Sequence, residues 1–131
     1  QLGIGEAITF SGYVSNDDVY RSFSVSELFL FPSKTETQGL TITEGFAMGV
    51  PAVCINAMGV SDVLENQSGG FLTQDSLQDF SDAAIKLLTD QSLYEEKKRE
   101  ALERVKDYET EHISQKMLSI YEETIHSFMA S

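Results

Sequence analysis

The sequence holds one cysteine, two prolines and no tryptophan, and its nine basic residues face twenty-one acidic ones. Each scarcity excludes something. Cys54 stands alone in the apolar stretch Pro51 to Ile55, so no internal disulfide can form, no multi-cysteine metal cage is available, and the residue reads as a small core side chain. The net charge of −12 argues against nucleic acid as a partner, because affinity for phosphate backbones comes largely from clustered Lys and Arg. Most of the cations lie between Lys97 and Lys116, interleaved with Glu95, Glu96, Glu100, Glu103 and Asp107, which reads as the solvated face of long helices. A phosphate ligand would therefore be held by backbone amides and a helix terminus, unless another domain supplies cations. No apolar run approaches the roughly 18 to 20 residues of a membrane-spanning helix, and the amino terminus lacks the basic-then-apolar order of a signal peptide.

What is present is an alternation. In 131 residues, 41% of them apolar, there is room for one domain with a hydrophobic core. Short apolar segments alternate with helical patterns over residues 1–90, and residues 91–131 read as helix, an order that signals an α/β fold with a parallel sheet. Ala7 to Phe10 is expected as a strand, and Ser15 with Asp18 as the capping box of a helix carrying Val19, Tyr20 and Phe23. Leu28 to Phe31 is apolar at every position and is expected as a central strand covered on both faces, stopped at Pro32-Ser33. Gly39 to Met48 reads as a helix closed by Gly49 and Pro51, with Pro51 to Ile55 as the next strand. A helical turn over Val60 to Glu65 and a strand at Phe71 to Thr73 follow. Ser76 and Asp79 cap a helix with Leu77, Phe80, Ala84, Leu87 and Leu88 on one stripe. Ser92 to Tyr108 is a charged helix, and Ile113, Met117, Ile120, Tyr121, Ile125 and Phe128 form the apolar face of the last one.

The chemistry concentrates between Phe31 and Pro51, where a buried strand, a polar loop, a glycine and a helix follow in order. In an open parallel sheet, ligands bind where strands end and helices begin. Gly39 lets a ligand approach the backbone, and the N–H groups of Gly39, Leu40 and Thr41 present partial positive charge that suits a pyrophosphate. Glu36 precedes the helix and Glu44 lies about one turn inside it, so two carboxylates flank that position. Carboxylates accept hydrogen bonds from sugar hydroxyls, such as those on either side of the pyrophosphate in a nucleotide sugar. The spacing is equally that of helix-start acids favoured by the macrodipole, and, more weakly, of a Mg²⁺ site. Lys34 reads as a surface lysine at a strand end, His112 and His126 as solvated or structural, and Ser33 as a residue with no activating partner.

The stretch Pro32-Ser33-Lys34-Thr35-Glu36-Thr37-Gln38-Gly39-Leu40, continued by Glu44-Gly45-Phe46-Ala47-Met48-Gly49-Val50-Pro51, resembles the Glu-x7-Glu motif of retaining glycosyltransferases that include glycogen and sucrose synthases and bacterial glycolipid and capsule enzymes. The likeness extends to Phe10-Ser11-Gly12-Tyr13-Val14, to Gly59-Val60-Ser61-Asp62-Val63 with Asn66 and Gly69-Gly70-Phe71-Leu72, and to the Tyr121 helix. It implies a Rossmann-like three-layer α/β fold, the carboxyl-terminal donor-binding half of a GT-B enzyme lacking its first strands, with a helical tail. On that resemblance Glu36 is the catalytic residue beside the donor hexose, the amides of Gly39 and Leu40 hold the distal phosphate, Glu44 binds the ribose hydroxyls, and Tyr13 and Val14 lie near the nucleobase. It implies neither metal nor other cofactor, a hexosyltransferase acting in a bacterial cytoplasmic pathway on a glycan, glycolipid or surface polymer, and membrane contact only through a missing acceptor domain.

Gln38 stands where the family has an aromatic residue, and the glycine-rich turn and Arg/Lys pair expected earlier in the domain do not precede Gln1. The chain is thus expected to be inactive alone and to expose a sheet edge that favours self-association. The rival expectation is a non-catalytic α/β interaction module, flavodoxin-like or a degenerate transferase half.

Overall fold

The computed structural model describes residues 3–129. Its sheet is three-stranded and parallel, in the order β1 (Phe29–Phe31), β2 (Ala52–Ile55), β3 (Gly70–Thr73), with Leu30 opposite Val53 and Cys54 opposite Leu72. Parallel neighbours require crossovers. Helix α2 (Leu40–Ala47) makes the first, and α3 (Val60–Val63) with a 3₁₀ turn at Glu65–Gln67 makes the second. Helix α1 (Asn16–Ser24) precedes the sheet, and α4 (Leu77–Thr89), α5 (Gln91–Arg104) and α6 (Thr110–Met129) follow it.

Strand β2 alternates its side chains between two layers. Ala52 and Cys54, fully buried, face Ile42 and Phe46 of α2, Val60, Val63 and Leu64 of the α3 region and Ala101 of α5. Val53, also fully buried, points the other way, toward the side on which α4 packs against β2 and β3 and buries Leu87. The result is a three-layer α/β arrangement whose centre is β2. At the β1 end, Phe23 of α1 meets Phe29 edge-on with ring centroids 5.2 Å apart.

Several local signals act as expected. The hydroxyl of Ser15 accepts the Asp18 N–H and that of Ser76 accepts the Asp79 N–H, starting α1 and α4. Gly49 ends α2 in a left-handed conformation (φ 70°), its N–H donating to the Phe46 carbonyl (2.9 Å) and that of Val50 to the Gly45 carbonyl (3.0 Å). This is a Schellman closure.

Other expectations fail for want of a tertiary partner. Ala7 to Phe10 is not a strand: Gly5–Ala7 forms a 3₁₀ turn, and residues 8–10 pair with no strand among the described residues, leaving Phe10 92% exposed. A strand is defined by its ladder, and none is on offer there. β1 is an edge strand, not a central one, and Leu30, on the same face as Val53, stays half exposed because α4 packs on β2 and β3 instead. The stripe on α4 is narrower than its pattern, since Leu77 and Leu88 are exposed. The charged segment is also broken, α5 ending at Arg104 and a 3₁₀ turn covering Val105–Tyr108. Along α6 no residue is buried, and Ile113, Met117, Ile120, Tyr121, Ile125 and Phe128 all stay exposed. Among the described residues no helix is long and apolar enough to cross a membrane.

The cations are the largest surprise. Lys97 is buried, donating to the Gln67 carbonyl (2.9 Å) and to Glu100 (2.8 Å), which in turn accepts the Gly69 N–H (3.0 Å). Arg104 donates from Nε to the Val63 carbonyl (3.0 Å) and from Nη2 to that of Asp62 (2.6 Å), where the Tyr108 hydroxyl also donates (3.2 Å). These side chains tie α5 to the turn after α3, in which Asn66 and Gln67 take left-handed backbone angles (φ 55° and 60°). Lys97 and Arg104 are internal staples, whereas Arg99, Lys106 and Lys116 lie on the solvated face expected of them.

Two consequences can be measured by urea denaturation. Lys97→Met strands the Gln67 carbonyl and the Glu100 carboxylate and lowers stability by about 1–3 kcal/mol, whereas Arg99→Met, which removes the same charge from an exposed position of the same helix, changes it by no more than about 0.5 kcal/mol. Leu64→Ala, emptying a fully buried position, costs about 2–5 kcal/mol.

Candidate functional site

The three strands end on one edge of the sheet, so the loops after Phe31, Ile55 and Thr73 lie along it. Two of them carry the site. The chain leaves β1 through Pro32, runs through the polar loop 32–39 and enters α2 at Gly39, the N-cap residue, at φ 68°. Gly39 has no side chain to cap the helix, and Glu36 caps it instead. Its Oε1 accepts the N–H groups of Thr37 (3.0 Å), Gln38 (2.9 Å) and Gly39 (2.9 Å). The N–H groups of Leu40 and Thr41 find no partner among the described residues.

That cap is electrostatic. The amides of Gln38 and Gly39 hold the Glu36 carboxyl below its ordinary range, against an opposing effect of desolvation that exceeds the further lowering by Thr37. A carboxylate whose folded-state pKa is depressed contributes stability above its unfolded value and loses it as pH falls through the folded one. The cap is complete at neutral pH.

The loop is held in place by contact between backbones. Gly59, at φ 83° just before α3, lies so close to the loop that a Cβ there would sit 2.4 Å from the Thr37 carbonyl carbon. A Cβ on Gly39 would sit 2.5 Å from Cγ2 of Val63 and 2.9 Å from the Gly59 carbonyl oxygen. Both positions require glycine, for their left-handed angles and for the missing atom. The role of Gly39 is therefore broader than ligand approach, and that of Gly59 escaped the sequence reading. Its signals were a glycine shortly after a buried strand and its place in the Gly59-Val60-Ser61-Asp62-Val63 stretch, neither of which gave it a packing role.

Along α2 the burial is one-sided. Ile42, Thr43, Gly45 and Phe46 are buried, Thr41 and Glu44 are half-buried, and Leu40 is exposed. Glu44 makes no hydrogen bond or ion pair with the described residues, so its oxygens remain available to a ligand's hydroxyls. The structure thus brings Glu36, Gly39, Leu40, Thr41 and Glu44 together at one helix start. Tyr13 and Val14 stand apart in the exposed segment before α1, with no hydrogen bond or ring contact joining them to α2.

Lys34, the cation of the loop, pairs with Asp75 from the loop after β3, spanning the sheet edge. Ser33 accepts the Thr35 N–H (3.4 Å). The Nδ1 of His126 lies 2.8 Å from the Glu122 carbonyl oxygen on α6, and His112 lines a separate cavity of about 490 Å³ with Arg104, Tyr108 and Lys116. Cys54 is buried, which pushes its thiol up to about 12 and leaves it unreactive. Among the described residues no group of three or more His, Cys, Asp or Glu side chains is placed to hold a metal ion.

Residues 1–107 match the family described as Glycosyl transferases group 1. The chain is 32% identical over 114 residues to the sulfoquinovosyl transferase SQD2 of Arabidopsis thaliana, a match that covers 85% of this chain and 22% of the relative. It is 32% identical over 122 residues to the N-acetyl-alpha-D-glucosaminyl L-malate synthase of Bacillus anthracis, covering 92% of this chain and 31% of that enzyme. To a D-inositol 3-phosphate glycosyltransferase of Gordonia bronchialis it is 30% identical over 133 residues, covering 98% and 28%. The chain spans less than a third of the length of these relatives. A parallel sheet with its polar helix start at the strands' carboxyl ends, together with a family match over most of its length, places this chain in the glycosyl transferases group 1 family.

Proposed function

We propose that the chain is the donor-binding part of a retaining hexosyltransferase, with the diphosphate of a nucleotide sugar seated at the start of α2. The observation that carries this reading is the row of amides from Thr37 to Thr41 at the carboxyl edge of the sheet, bordered by Glu36 and by the unpaired Glu44. Amides and a helix N-terminus bind phosphate without any side-chain cation, which suits a chain of net charge −12 whose loop lysine is engaged by Asp75. Glu36 then faces the hexose and orients it, Glu44 takes the ribose hydroxyls, and neither has to carry a metal or become a covalent nucleophile. Tyr13 and Val14, exposed ahead of α1, are free to meet the base.

The acceptor site and the cations that offset the diphosphate belong, on this reading, to the rest of a longer polypeptide. The open side of β1 is where further strands, or a second copy, would pair. The parent acts from the cytoplasm on a glycan, glycolipid or surface-polymer acceptor.

In the full-length protein, Glu36→Gln is expected to lower kcat by about 100-fold or more, with circular dichroism unchanged. Glu44→Gln raises the donor KM by about tenfold with a smaller effect on kcat. Transfer at the wild-type rate by Glu36→Gln would sink the enzyme assignment and favour a non-catalytic module. The isolated 131-residue chain, supplied with UDP-, ADP- and GDP-sugars, shows no turnover by product mass spectrometry.

A further inference from the structure

The amides assigned to the donor phosphate are partly filled already, and by the chain itself. Glu36 Oε1 accepts from Thr37, Gln38 and Gly39, while the next two amides, of Leu40 and Thr41, have no partner among the described residues. A phosphate oxygen arriving at Gly39 meets a carboxylate of like charge on the same N–H, and one N–H cannot serve both well. Membership of the glycosyl transferases group 1 family supplies the independent reason to expect such a phosphate, because its donors are nucleotide sugars.

We propose that Glu36 plugs the donor-phosphate seat of the empty enzyme, that the donor's distal phosphate displaces it from Gly39 and Gln38, and that the freed carboxylate then turns to the donor sugar. The proposal rests on the reading of this loop as a nucleotide-sugar site, and adds how that site is kept closed and opened.

Three features make the exchange feasible. All three hydrogen bonds end on Oε1 and none on Oε2, so the carboxylate is held by one oxygen and can leave by rotating about its own side chain. No cation pairs with Glu36 to hold it, since Lys34 is engaged by Asp75. The amides themselves stay where they are, because Gly59 packs against Thr37 and Gln38 and Gly39 packs against Val63. A mobile plug therefore sits on a rigid seat. The arrangement couples two events, since the carboxylate is delivered to the sugar only after the diphosphate has taken its place.

The test is calorimetric titration of UDP, ADP and GDP, without sugar, into the full-length protein and three variants. Glu36→Gln and Glu36→Ala remove the plug's charge, and Asp17→Asn removes one charge from an exposed position on α1. A sugar-free diphosphate gains nothing from Glu36, so the nucleotide that binds wild type is expected to bind both Glu36 variants about tenfold more tightly, and Asp17→Asn as wild type. Circular dichroism and thermal melting confirm that the variants are folded, and the glutamine variant, which keeps the side chain's size, decides the matter if the alanine variant is not. Equal or weaker binding by Glu36→Gln, with wild type binding normally, overturns the plug and leaves the donor site standing. Absence of binding to wild type and variants alike, at millimolar nucleotide, overturns the donor site and the plug with it.

Discussion

The contact of the Glu36 loop with the Gly59 turn is the constraint on which the site depends. Two backbone segments approach until neither Gly39 nor Gly59 has room for a Cβ, and that approach fixes the direction in which the amides of residues 37–39 point. Everything chemical at this edge follows from it. The amides converge on one point, a carboxylate completes them, and α2 starts there without a side-chain cap at Gly39. Because the contact joins the loop after β1 to the turn after β2, the geometry of the site is carried by the sheet, whose central strand is buried on both faces.

Charge explains why the site is built from backbone. A chain with twelve more acids than bases has little with which to assemble a cationic pocket, and several of its cations are engaged elsewhere. Lys97 and Arg104 are spent on carbonyls and carboxylates that pin α5 to the left-handed turn before β3, and Lys34 on Asp75. What remains for an anion is the helix N-terminus, whose partial charge needs no counterion of its own. The same scarcity makes Glu36 consequential, since it is an anion resting on the very groups that would receive one.

The family match and the geometry answer different questions. The match says to which family the chain belongs, and it spans residues that include both the α/β layers and α5. The geometry says which atoms of this chain are available to it. Gly39 and Leu40, adjacent in the motif, differ in this respect, because one amide is occupied and the other is open.

Sequence alone determined several local elements and the grouping of residues at the start of α2. Caps at Ser15 and Ser76, the Gly49 closure of α2 and the apolar run of β2 rest on interactions within a few residues, so a linear pattern suffices to read them. Glu36, Gly39, Leu40, Thr41 and Glu44 were legible for the same reason, because one loop and one helix turn hold them together. Tertiary structure decided the rest. It left Ala7 to Phe10 unpaired and put β1 at an edge, since ladders depend on strands distant in the chain. It turned Lys97 and Arg104 inward, left α6 uncovered, set Gly59 against Thr37 and folded Glu36 onto its own amides. Each of these is a meeting of groups, whereas composition and spacing record only which groups exist.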